Sequence, residues 1–231
     1  MLNIRSKKTN MRKVLEYMLV IITILECNSI YTRTVNYNFH ISLINYIVIS
    51  LFSLFVILIA KKNSKYSVSS KCIFLLLYTL IYFVICVRDN YVRYIFNFII
   101  LLPIMYVYFK ENDLNKKGIM SKYSKIICFL SVLSLLFYFF GTVLNLIPSK
   151  SILVNWGGIK TRQSYFFLHF STQTISLFGK LVYRNTGIFT EAPMYAFILI
   201  LGLISEIIFP TGKSKLKRTL IFIAILTTLS T

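Results

Sequence analysis

The sequence predicts an all-α, polytopic integral membrane protein with six transmembrane helices, an incomplete seventh and a cytoplasmic N-terminus. Three observations predict it. Hydrophobic residues make up 57% of the 231 and charged residues 14%, with a mean hydropathy of +0.72. An ordinary soluble domain carries about 25% charged residues, so this chain lacks a globule's polar coat and needs lipid to solvate it. Apolar runs of membrane-spanning length recur along the chain, and Lys and Arg alternate in density between the connections that separate them. The same hydrophobicity excludes intrinsic disorder.

A bilayer core asks for about 20 mostly apolar helical residues. Segments at about 14–30, 41–60, 72–87, 94–109, 126–147 and 192–209 meet or approach that length. The third and fourth are short and are joined by the polar turn Arg88-Asp89-Asn90-Tyr91-Val92-Arg93, which makes them a helical hairpin. Pro103 falls inside the fourth, where neighbouring helices can satisfy the backbone it frees. The partial seventh, 219–231, has 13 residues and rises only about 20 Å. It cannot cross a membrane, so the chain is expected to be the front part of a longer, C-terminally truncated protein. The whole chain reads as a single membrane domain, residues 1–231, interrupted by one long loop at 148–190.

Orientation follows from the basic residues. Connections 1–13, 61–71, 110–125 and 210–218 hold 18 Lys and Arg in 49 residues, whereas 31–40, 88–93 and 148–190 hold 8 in 59. The first set is therefore cytoplasmic and the long loop external. This pattern also accounts for the net charge of +19. Short basic clusters separated by spans are what insertion produces, so nucleic acid is excluded as a partner.

The four cysteines, Cys27, Cys72, Cys86 and Cys128, lie in or beside apolar runs, form no CxxC pair and read as small buried hydrophobes. With only His40 and His169 as histidines, no metal ligand set arises, and no cofactor is expected. The basic start (Arg5, Lys7, Lys8, Arg12, Lys13) before an apolar run is similar to a signal peptide. No A-x-A-like site follows, and Glu26 spoils a lipoprotein-type cleavage box before Cys27, so the first span stays uncleaved.

The external loop 148–190 stands apart. At 43 residues it is longer than connections usually are without a function. It carries the only tryptophan, Trp156, the pair Gly157-Gly158 and the aromatic run Tyr165 to Phe170, and is expected to fold onto the membrane surface or re-enter it. Its basic residues Lys150, Lys160, Arg162, Lys180 and Arg184 lie on the side that insertion disfavours for cations. Contact with anionic lipid headgroups is the plain reading of them.

The densest feature ends that loop: Arg184-Asn185-Thr186-Gly187-Ile188-Phe189-Thr190-Glu191-Ala192-Pro193. A structural account makes Thr190 an N-cap, places Glu191 and Pro193 in the first turn of the next helix and gives Gly187 a tight turn. It leaves unexplained an arginine seven residues before the acid at a membrane entrance. Helix N–H groups and a guanidinium there suit a diphosphate at a lipid headgroup.

The string Arg184-x-x-Gly187-Ile188-Phe189-x-Glu191-x-Pro193 after a long external loop resembles the signature of bacterial oligosaccharide repeat-unit polymerases. These are the O-antigen and capsular polysaccharide polymerases, relatives of the O-antigen ligases. Glu and Pro are adjacent in the usual form, and here Ala192 intervenes. The resemblance implies residence in the bacterial cytoplasmic membrane and metal-independent glycosyl transfer at its outer face. A glycan leaves its polyprenyl diphosphate carrier for a hydroxyl on an incoming lipid-linked repeat unit. It implies Arg184 and Glu191 as catalytic residues, with Arg162, Lys160, Lys180, His169 and Gly187 in substrate binding. Glu191 serves as base or holds Arg184, and His169 is a second base candidate, although a lone histidine in an aromatic run is more often structural. Implied partners are the lipid-linked oligosaccharide, membrane lipids, a chain-length regulator and a flippase.

Two alternatives remain open at this stage. A flippase for lipid-linked oligosaccharides would share the polytopic, basic character, but flippases place charges within spans. Here Glu16 and Glu206 fall near cytoplasmic ends, where acids can stay hydrated, and only Glu26 sits deeper. The other alternative is an inactive fragment of a split polymerase gene.

Overall fold

The computed structural model describes residues 2–35, 40–62, 70–86, 91–111, 113–210, 212 and 214–230. It is mostly helical, at 68%. The helices are α1 (Leu2–Glu26), α2 (Ile41–Lys62), α3 (Ser70–Cys86), α4 (Tyr91–Tyr94), α5 (Leu102–Glu111), α6 (Asp113–Phe137), α7 (Ala192–Ile208) and α8 (Ser214–Thr227); each apolar run overlaps a helix, but α1 and α6 begin well before the expected spans and the fourth run is divided. A π-helical stretch, Ile95–Leu101, joins α4 to α5 and immediately precedes Pro103. A prolyl ring clashes with the carbonyl four residues before it, and a widened turn relieves that clash. Among the described residues, three stretches are long and apolar enough to cross a membrane: Ile41–Leu58, Tyr91–Lys110 and Lys116–Val143. Ile73–Ile85 and Ala192–Ile208 are apolar but shorter. The turn residues Arg88, Asp89 and Asn90 of the expected hairpin, most of the basic connection 61–71 and Thr231 lie outside the described residues.

The chain divides into two compact units, residues 1–22 with 42–119, and residues 23–41 with 120–231. In the first, Glu16 is buried and takes an ion pair from Arg12 Nε at 2.8 Å and the hydroxyl of Tyr108. Asn45 donates to Asn97 at 3.1 Å. Contrary to the expectation of a hydrated acid, Glu16 is neutralised inside the unit. A buried carboxylate is tolerable only when paired and hydrogen-bonded.

The second unit holds the main departure from an all-α fold. Residues 150–183 form strands: β1 (Lys150–Asn155), β2 (Ile159–Tyr165) and β3 (His169–Ser171) make an antiparallel sheet, and β4 (Thr174–Leu177) with β5 (Lys180–Tyr183) make a hairpin. The sequence supports this locally. Ile152 and Val154 are buried at alternate positions of β1, with Leu153 half-buried between them, while Gly157-Gly158 and Phe178-Gly179 supply turns. Residues 33–35, from the connection expected to be external, also join the sheet. Asn155 N donates to Arg33 O at 2.8 Å and Val35 N to Leu153 O at 3.0 Å, adding an edge to β1.

The helices of this unit pack closely. A Cβ on Gly202 of α7 would come within 2.5 Å of Ile127 on α6, so glycine sets that approach. Glu206 is fully buried and accepts the Ser124 hydroxyl, while Arg218 Nη2 donates to its backbone carbonyl at 3.2 Å. The expectation that Glu206 stays hydrated is corrected too.

Candidate functional site

The segment 184–193 runs along the junction of sheet and helices in the second unit. Residues 185 to 190 are all buried. Burial forces each polar group to find a partner, and the partners come from distant parts of the chain. Ile30 N donates to Ile188 O at 2.9 Å, Phe170 N to Gly187 O at 2.9 Å, and Thr190 N to Asn28 O at 3.1 Å. Thr172 and Thr186 hydroxyls donate to Thr190 O and Phe170 O.

Gly187 takes φ +56°, and a Cβ there would meet the Tyr195 ring at 3.0 Å. The expected tight turn is present, and the ring stacked behind it leaves no room for a side chain. Asn185 is the hub that the sequence analysis passed over. Its side chain donates to Thr227 Oγ1 at 2.9 Å and accepts Gly187 N at 3.1 Å, while its backbone N donates to Thr227 O at 3.0 Å. Its place inside the Arg-Asn-Thr-Gly string was the available clue.

The start of α7 differs from expectation. Glu191, in an extended conformation, is the N-cap, and Pro193 lies in the first turn. Thr190 turns away to donate to Asn28 O at 3.1 Å. The Glu191 carboxylate does not cap its own helix; the side chain of Gln173 does, accepting Ala192 N at 2.9 Å. Glu191 Oε1 instead accepts the indole N–H of Trp156 at 2.8 Å, and Oε2 has no hydrogen-bond partner among the described residues.

Above Trp156 lies Arg33, its guanidinium carbon 4.9 Å from the ring centre. Arg33 Nη2 donates to Asn28 Oδ1 at 3.3 Å, and its buried Nε has no partner. Sequence reasoning missed Arg33. It is the only basic residue in 31–40, and nothing in the sequence joined that segment to the long loop.

Arg184 and Glu191 are not brought together. Arg184 Nε donates to Thr228 O at 2.8 Å and Nη2 to Ser230 Oγ at 2.6 Å, so the guanidinium caps the end of α8. No hydrogen bond or ion pair joins it to Glu191 among the described residues. Cations suit helix C-termini because carbonyls and the helix dipole both favour them.

Lys160 and Arg162 sit two residues apart on one face of β2, opposite Val154 and Ile152. Lys180 is exposed on β5, opposite Leu177. None of the three side chains has a hydrogen bond or ion pair with another described residue, which leaves their charges available to an anion. His169 is different. It is fully buried on β3 across from Tyr165, and neither ring nitrogen has a partner. Burial pushes its pKa down to about 3, which keeps it neutral. The structure makes it a core residue. No group of three or more metal-ligating side chains occurs among the described residues.

The class this architecture defines is a mostly helical protein with membrane-type helices and a β-folded insert. Comparison with family models, curated proteins and solved structures gives no match.

Proposed function

We propose that the chain is a polymerase of lipid-linked oligosaccharide repeat units. In this reading it spans the bacterial cytoplasmic membrane six times from a cytoplasmic N-terminus, with the β-folded insert outside. Lys and Arg density supports the orientation, and the 184–193 string supports the family. The observation that carries the chemistry is Glu191, whose carboxylate is fixed through one oxygen by Trp156 and open at the other.

In the proposed reaction the open oxygen of Glu191 takes the proton of an acceptor sugar hydroxyl. That hydroxyl oxygen bonds to the anomeric carbon of the growing glycan. The bond from that carbon to the polyprenyl diphosphate breaks, and the diphosphate leaves with the electron pair. Lys160, Arg162 and Lys180 supply unpaired cations for the charge that develops. Arg184 contributes by anchoring α8 beside the string, a positioning role.

Glu191→Gln tests this in cells. Lipid carriers bearing single repeat units should accumulate at the outer face, open to externally added glycosidase. Polymer of normal length would contradict the proposal. Carriers trapped on the cytoplasmic face, protected from external enzyme, would instead mark a flippase.

A further inference from the structure

Arg33, Trp156 and Glu191 form a cluster that folding alone does not use up. Among the described residues, Glu191 Oε2 is without a partner, and Arg33 Nε is buried and unpaired. That Nε is enclosed, but the fork makes one side-chain hydrogen bond, from Nη2 to Asn28 Oδ1 at 3.3 Å, which leaves Nη1 to donate to an incoming acceptor. The two groups flank one indole: Glu191 at its N–H edge and Arg33 over its face. The turn beside them is open, since a Cβ at Gly157 or Gly158 would meet no atom within 4 Å. Carboxylate and guanidinium cancel in charge. A diphosphate, carrying only negative charge, would be repelled by Glu191. A polyol matches both groups, with hydroxyls donating to the carboxylate and accepting from the guanidinium beside an aromatic surface.

We propose that Arg33, Trp156 and Glu191 bind an uncharged pyranose, and that this is the acceptor sugar of the transfer described above. The inference rests on that reading for the word acceptor, but the saccharide site stands on the geometry. Two hydroxyls of one ring bridge Glu191 Oε2 and Arg33, and the indole N–H holds the carboxylate in place. Diphosphate binding then falls to the separate cations of β2 and β5.

Trp156 is the only tryptophan, so its emission reads this cluster alone. The full chain in phosphatidylcholine vesicles is titrated with an equimolar mixture of glucose, galactose, N-acetylglucosamine and N-acetylgalactosamine, and separately with inorganic pyrophosphate. The sugars should shift the emission saturably, and pyrophosphate should leave it unchanged. Glu191→Gln and Arg33→Gln should each weaken the sugar response about tenfold or more, the loss expected for a hydrogen bond to a charged group. Glu191→Asp should recover part of it, which separates lost contact from lost fold. A response to pyrophosphate in place of sugar, no response to sugar, or an unchanged response in both variants would overturn the site. Sugar binding by a protein that leaves polymer formation unaffected would keep the site and remove only the polymerase reading.

Discussion

Trp156 donates its indole N–H to Glu191 across 2.8 Å, although the two are 35 residues apart in the chain. The bond ties the turn between β1 and β2 to the first residue before α7. In the proposed reaction it decides which carboxylate oxygen is left for the acceptor hydroxyl. Trp156→Phe keeps an aromatic ring and removes the donor. Loss of a hydrogen bond to a charged group costs about 1.5–3 kcal/mol. The rate of polymer formation in isolated membranes should therefore fall about tenfold or more, with the protein still inserted. An unchanged rate would show that Glu191 needs no such support.

Arg184 is committed to the residues that follow α8 by two bonds, to Thr228 O and Ser230 Oγ. Arg184→Ala should lower stability by about 1–3 kcal/mol, read as an earlier thermal unfolding midpoint. Arg184→Lys keeps the charge but not the fork and should recover only part. Lost polymer in Arg184→Ala with no change in midpoint would instead mean that the guanidinium touches substrate.

His169 makes the β-folded insert acid-sensitive. Its pKa is about 3 when folded, against an ordinary value of about 6.5 when unfolded. As pH falls between these values the unfolded state takes up a proton first, so stability is full above about 6.5 and declines toward 3. The loss reaches roughly 2 kcal/mol near pH 5. His169→Phe should flatten the slope in that window, measured by denaturation at several pH values. A slope equal to wild type would place the titration elsewhere.

Phe178 and Gly179 are the two central residues of the β4–β5 hairpin, with φ +50° and +78°, and Phe178 is fully exposed. This turn favours Asn-Gly, because a bulky residue at positive φ is strained by about 1–2 kcal/mol. Phe178→Asn should raise stability by roughly 1 kcal/mol, seen as a later unfolding midpoint. A decrease would mean that the exposed ring has a stabilising contact.

Gly187→Ala faces two penalties, a positive φ and the Tyr195 ring at 3.0 Å. It should cost about 2 kcal/mol or more and loosen the turn that delivers Glu191. Protease nicking within 184–190 would report it.

The helices were legible because lipid-facing runs need nothing but length and hydrophobicity. Of the site, Gly187 and Glu191 were legible from a local string and its turn chemistry. Arg33 was not, because it meets Trp156 only after residues 33–35 pair with β1, a contact between segments more than a hundred residues apart. The same holds for Gln173, which caps α7 from another strand's end. His169 looked available because sequence cannot tell a core aromatic run from a surface one. Glu16 and Glu206 looked hydrated for a related reason: their partners Tyr108 and Ser124 come from distant helices.

The central claim is that this cluster works on saccharides outside the cell. Lys160 is exposed on β2, so Lys160→Cys offers a handle for a membrane-impermeant maleimide on intact spheroplasts, with the wild-type protein as background. The account predicts labelling without permeabilisation. Labelling only after the membrane is opened would put Trp156 and Glu191 in the cytosol and contradict it.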